Sequence, residues 1–66
     1  MRVTVNGAER EAAEGTTLAA LLRDLSLPER GVAVDRNRAL VKKADYGGCV
    51  LEEGDRLEIV TFVGGG

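Results

Sequence analysis

Residues 15–35 read GTTLAALLRDLSLPERGVAVD, and the spacing of their apolar side chains changes partway along. Leu18, Leu21, Leu22 and Leu25 fall at i, i+3, i+4 and i+7, which puts them on one helical face, with Thr16 or Thr17 available as N-cap and Pro28 beyond the far end. From Val32 the period becomes two. Val32 and Val34 point one way and Ala33 the other, as in a strand. Burying each leucine contributes roughly 1.5–3 kcal/mol, so this helix is the main apolar plug of the fold and needs a sheet to cover.

Strands are predicted on both sides of it. Met1, Val3 and Val5 alternate with Arg2, Thr4 and Asn6, and Asn6-Gly7 is a strong hairpin signal, so a second strand is expected to return through about Glu9 to Ala12. Its charges, Glu9, Arg10 and Glu11, suit a sheet edge because they oppose unwanted pairing. Downstream of Val34 the sequence predicts a turn near Arg36-Asn37, a short strand at Ala39 to Val41, and an irregular stretch KKADYGGCVLEE in which GGCVL reads as a loop feeding a buried strand. EEGD then forms a turn with glycine at its third position, and RLEIVTFV is the final strand. The expected class is α+β, a mixed sheet of four to five strands with one main helix packed across it.

Parity in the final strand separates two faces. Leu57, Ile59, Thr61 and Val63 share one, and Arg56, Glu58, Val60 and Phe62 share the other. With Leu57 and Ile59 turned to the core, Val60 and Phe62 are left on the outside. They are either a docking patch for a partner or ordinary exposed residues, since only a contiguous apolar area is meaningful.

Composition removes several functions. The chain has 66 residues, enough for one domain. Hydrophobic residues at 44% and charged residues at 30% describe a folded domain rather than a disordered one. A net charge of −2, with no basic run longer than Lys42-Lys43 and only Tyr46 and Phe62 as aromatic rings, argues against a nucleic-acid partner. No apolar run approaches the roughly 20 residues that span a bilayer. A single cysteine and no secretion-signal layout predict a cytoplasmic protein.

Catalytic chemistry is equally sparse. Without histidine there is no histidine base, no Ser/His or Cys/His pair and no histidine metal site. The acidic residues lack metal-loop spacing, and Glu52-Glu53 reads as a solvated turn rather than an acid/base pair. Gly47-Gly48 reads as a turn rather than a ligand cradle, and Cys49, with only Lys42-Lys43 as a nearby base, as structural rather than nucleophilic. No metal is expected.

The unusual feature is the end, VGGG. A terminal carboxylate ionises with a pKa of about 3.3–3.7, so at neutral pH it is a poor electrophile but a competent nucleophile toward an activated phosphate. Three extended glycines would carry it roughly 10 Å from the last packed residue. Lacking Cβ atoms, they can thread a narrow channel in a partner enzyme. The expected organisation is a domain over residues 1–63 and a flexible glycine tail at 64–66.

Taken in order, VNG after the first strand, the GTTLAALLRDL helix, GVAVDRN, the EGDRLEIV turn and strand, and the terminal Gly-Gly resemble the ThiS family of sulfur carriers, members of the ubiquitin-like β-grasp group. Thr61-Phe62-Val63 resembles that family more than the MoaD carriers of molybdopterin synthesis. The resemblance implies that the chain is no enzyme but a co-substrate. It binds no cofactor itself; an E1-like adenylyltransferase of the ThiF type uses ATP and Mg²⁺ to adenylate the Gly66 carboxylate. A sulfur donor such as a cysteine desulfurase then converts the adenylate to a thiocarboxylate, and a thiazole synthase of the ThiG type takes the sulfur for thiamin biosynthesis. Gly65 and Gly64 would thread into the partner, and Val60, Phe62 and Val63 would dock, with the free protein a monomer. The third glycine and Cys49 depart from the pattern. Rival readings are a MoaD-like carrier, a non-covalent ubiquitin-like interaction module and, less favoured, a modifier attached to lysines.

Overall fold

The computed structural model describes residues 1–62. The expected domain boundary after residue 63, the tail at 64–66 and the docking residue Val63 lie outside the described residues.

The elements run β1 (Arg2–Val5), β2 (Ala8–Glu11), α1 (Leu18–Asp24), β3 (Val32–Arg36), β4 (Ala39–Val41), a 3₁₀ helix (Lys43–Gly48) and β5 (Arg56–Thr61). One five-stranded sheet takes the order β2-β1-β5-β3-β4, with β1 and β5 parallel and the other neighbours antiparallel. This is the mixed sheet that the sequence predicts. β5, last in the chain, is the central strand, and β2 is an edge strand as its charges suggest.

Local chemistry accounts for the elements. Asn6 and Gly7 have φ of 49° and 86°, the paired positive values of a type I′ hairpin turn. Thr17 caps α1, its Oγ1 accepting from the backbone N–H of Ala20 at 3.1 Å. The start of α1 is tied to the segment before β5: Leu18 N donates to Cys49 O at 2.8 Å and Leu51 N to Thr16 O at 2.9 Å. Leu18, Leu21 and Leu22 are buried against Val3, Val34, Leu57 and Ile59 of the sheet, and Leu25 is half-buried beside them.

Three expectations need correction. The β3–β4 turn is Asn37-Arg38, not Arg36-Asn37; both residues have positive φ, 52° and 72°, while Arg36 completes β3 and is paired with Leu57. No buried strand follows Gly47-Gly48: Val50 makes one isolated bridge to Thr17 and is exposed, and only Leu51 is buried. Lys43–Gly48 is helical rather than irregular because Tyr46 is buried and closes the core beneath α1. The burial raises the Tyr46 phenol above its ordinary pKa, with Glu29 adding to it.

Candidate functional site: the central strand and its outer face

The strand that leads toward the glycines is held from both sides by asparagines. β1 pairs with β5 only as far as Val5–Leu57. Beyond it Asn6 takes over: its backbone N–H donates to Leu57 O at 2.9 Å, its Nδ2 to Ile59 O at 3.1 Å, and its Oδ1 accepts from Ile59 N at 2.8 Å. On the β3 side Asn37 N donates to Arg56 O at 2.8 Å and Asn37 Oδ1 accepts from Arg56 N at 2.9 Å. Both are first residues of type I′ turns, and both saturate backbone groups of β5 that would otherwise be left unpaired.

Asp55, the residue before β5, ties the end of β3 and the β3–β4 turn to the loop that precedes β5. Only 4% exposed, it accepts from Arg36 Nε at 2.9 Å, Asn37 Nδ2 at 3.0 Å and Glu52 N at 2.8 Å. Burial pushes its carboxyl up, but these hydrogen bonds and the Arg36 charge outweigh that and hold it below the usual carboxylate range. Burial alone would lower the Arg36 guanidinium, which the Asp55 pairing instead raises. Gly54, at φ 85°, supplies the positive angle of the turn that aims the Glu52 amide at Asp55.

One face of the sheet takes α1. The other carries Val60 and Phe62, 55% and 64% exposed, where strand parity places them. Phe62 N donates to Gly31 O at 2.7 Å, so the register with the β3 side continues to the last described residue. Leu40, 69% exposed, is on the same face and was not singled out in the sequence. Its alternation with Ala39 and Val41 signals its direction, but the face could be assigned only once the turn was placed at Asn37-Arg38.

Gly64, Gly65, Gly66 and Val63 lie outside the described residues. Cys49 is half-buried against the core, and its Sγ accepts a long hydrogen bond from Arg36 Nη1 at 3.6 Å. It borders a shallow groove of about 490 Å³ that also touches Leu40, Val41, Ala44 and Asp45. Glu52 opens the turn before β5, its carbonyl accepting from Asp55 N at 3.0 Å, and Glu53 stands within that turn and accepts from Arg2 N at 2.9 Å. Among the described residues no group of three His, Cys, Asp or Glu side chains is arranged to hold a metal ion. Among them, too, no helix is long and apolar enough to cross a membrane.

Comparison with known proteins agrees with this architecture. A thiazole synthase of Magnetococcus marinus is 46% identical over 66 residues, which is all of this chain and 20% of that protein. A thiazole synthase of Paramagnetospirillum magneticum is 44% identical over the same shares. The chain therefore spans about a fifth of the length of these curated relatives. The crystal structure of the thiamine biosynthesis protein ThiS from Geobacter metallireducens superposes with a TM-score of 0.83 at 29% identity, each chain covering 100% of the other. The sheet and helix are thus the ubiquitin-like β-grasp of that protein. The sequence model of the ThiS family matches residues 3–66, from β1 through the final glycine. The chain belongs to the ThiS family.

Proposed function

We propose that this chain is the sulfur carrier for thiazole formation in thiamin biosynthesis, and that Gly66 carries the sulfur. The observation that supports the reading most is the family match, which runs through the fold and includes the glycines. In the proposed cycle a Gly66 carboxylate oxygen attacks the α-phosphorus of Mg²⁺-bound ATP on an E1-like adenylyltransferase, and pyrophosphate leaves. The resulting mixed anhydride has AMP as its leaving group. Sulfur delivered by a donor enzyme such as a cysteine desulfurase attacks the acyl carbon, AMP departs with the bonding electrons, and a thiocarboxylate is left after any persulfide bond has been reduced by thiol.

The domain performs no catalysis in this cycle. Gly64 and Gly65 pass through the partner's channel, where a Cβ would collide, and the ordering entropy of glycine is offset by docking through Val60, Phe62 and Val63. A thiazole synthase is the acceptor. The support for that partner is that two proteins named thiazole synthase carry a stretch like this chain within one polypeptide, as a fifth of their length. The acceptor is also what separates this reading from a MoaD-like carrier. With purified thiazole synthase, the thiocarboxylate form should lose its sulfur as thiazole forms; transfer to molybdopterin synthase instead would overturn the assignment.

A further inference from the structure

Between the two type I′ turns, at the start of β5, lies a cleft of about 310 Å³ bordered by Thr4, Gly7, Asn37, Arg38, Arg56 and Glu58. The register brings these distant residues together. Thr4 stands opposite Arg56 in the parallel β1–β5 pair, Gly7 follows the asparagine that closes on Ile59, and the Asn37 amide and side chain hold the backbone of Arg56. Arg38 thereby reaches the same cleft as Arg56.

Two guanidiniums and one carboxylate line this cleft, and none of the three is used by the fold. Among the described residues Arg38, Arg56 and Glu58 make no ion pair and no side-chain hydrogen bond, and the Thr4 hydroxyl makes none either. Arg2 and Arg36 differ: they are paired with Glu9 and Glu11, and with Asp55.

The two turns that flank the cleft differ at one telling position. The first is Asn6-Gly7, with glycine where φ is 86°; the second is Asn37-Arg38, with arginine where φ is 72°. Left-handed backbone strains every residue with a Cβ, and glycine is the favoured occupant there. A side chain kept against the preference of its backbone points to a use for that side chain.

The donors and the acceptor select the ligand. Planar guanidiniums bind a tetrahedral oxyanion through paired N–H groups, and the Thr4 hydroxyl adds a further donor. Glu58 repels an anion and accepts from a hydroxyl. A bare phosphate would satisfy the arginines and leave Glu58 opposed to it, whereas a phosphate ester with a hydroxyl on a nearby carbon satisfies all of them. The cleft has room for the larger molecule, at the lower end of the range for small-molecule sites.

We infer that this cleft binds a small hydroxylated phosphate monoester, with Arg38 and Arg56 on the phosphate and Glu58 on a hydroxyl. Phe62 lies six positions beyond Arg56, about 20 Å along an extended strand. The cleft can therefore be filled while the other end of β5 engages a partner, and the inference stands apart from the carrier reading.

The test is a titration of the ¹⁵N-labelled protein at neutral pH and low salt, followed by amide chemical shifts, with glycerol 3-phosphate and separately with inorganic phosphate. Saturating shifts are expected around Gly7, Asn37, Arg38 and Arg56, with a midpoint of about 1–10 mM for the ester, because exposed guanidiniums are screened by water and salt. Inorganic phosphate should bind about threefold more weakly, for want of the hydroxyl. Arg38→Gly and Arg56→Gln should each weaken ester binding about tenfold. Arg23→Gln, in the last turn of α1 on the opposite face of the sheet, should leave it unchanged. Glu58→Ala should abolish the preference for the ester over inorganic phosphate. Because Arg38→Gly relieves strain, it should melt no lower than wild type, so lost binding in that variant is not lost folding. Shifts that fail to saturate, that spread over arginines outside the cleft, or that persist undiminished in Arg38→Gly overturn the inference. Equal affinity of the wild type for ester and inorganic phosphate, the mark of an adventitious ion only, overturns it as well.

Discussion

The side chain of Asn6 closes on the backbone of Ile59, Nδ2 donating to its carbonyl at 3.1 Å and Oδ1 accepting from its amide at 2.8 Å. A side-chain amide thereby continues the β1–β5 ladder after the β1 backbone has turned away into the hairpin. Asn6→Gly keeps the positive φ of the turn but removes both bonds, and should destabilise the protein by about 1–3 kcal/mol in urea unfolding. Asn6→Ala should be worse still, since it adds strain at φ 49°. A loss below a few tenths of a kcal/mol in Asn6→Gly would show that water replaces the side chain without penalty.

Asp55 makes stability depend on acid. Its pKa is lower folded than unfolded, so its contribution is complete above the unfolded carboxylate value near 4 and is lost as pH falls through the lower folded value. Asp55→Asn leaves Arg36 without its counter-charge and should cost about 2–3 kcal/mol at pH 7, a large part of the roughly 3–10 kcal/mol expected for a domain of this size. Between about pH 5 and pH 3 the wild type should lose more stability than Asp55→Asn. Parallel losses in the two proteins would remove Asp55 from the account.

Arg38 occupies the second position of a type I′ turn at φ 72°, where glycine is the favoured residue. Arg38→Gly should stabilise the domain by about 0.5–1 kcal/mol, the relief of left-handed strain exceeding the added freedom of the unfolded chain. Thermal melts of the two proteins decide it, and a lower melting temperature for the glycine variant would mean that the arginine side chain makes a compensating contact.

Gly65→Ala separates the tail from the fold. In the proposed cycle the added methyl obstructs entry into the adenylating partner, so ATP–pyrophosphate exchange should fall at least about tenfold, while the melting temperature stays within about 1 °C because the core cluster is built from residues 1–59. Normal exchange by this variant would end the threading argument.

Where the chemistry is local, the sequence states it. Asn6-Gly7 marks the first hairpin, the leucine spacing marks α1 and its buried face, and parity in β5 places Val60 and Phe62 outside, because each follows from residues within a few positions of one another. What it hides is held by long-range contacts. Asn6 and Ile59 are 53 positions apart, so the asparagine reads as a turn former and nothing more. The β3–β4 turn is displaced by one residue because Arg36 is drawn into the strand by Asp55, 19 positions later. Tyr46, in a glycine-rich stretch without periodicity, gives no local sign that it fills the core beneath α1. The same displacement hides Leu40, whose face depends on where the turn falls. The proposed carrier chemistry rests in the sequence only on the order of weak motifs and on the glycines at 64–66.

The account depends on Gly66 accepting sulfur. The protein should be incubated with ATP, Mg²⁺, its adenylating enzyme, a cysteine desulfurase and cysteine, and its intact mass then measured. Exchange of one terminal oxygen for sulfur, mapped to Gly66 by fragmentation and absent when ATP is omitted, is the predicted result. An unchanged mass in the presence of a partner shown to be active on another carrier, or sulfur mapped to Cys49 instead, would contradict it.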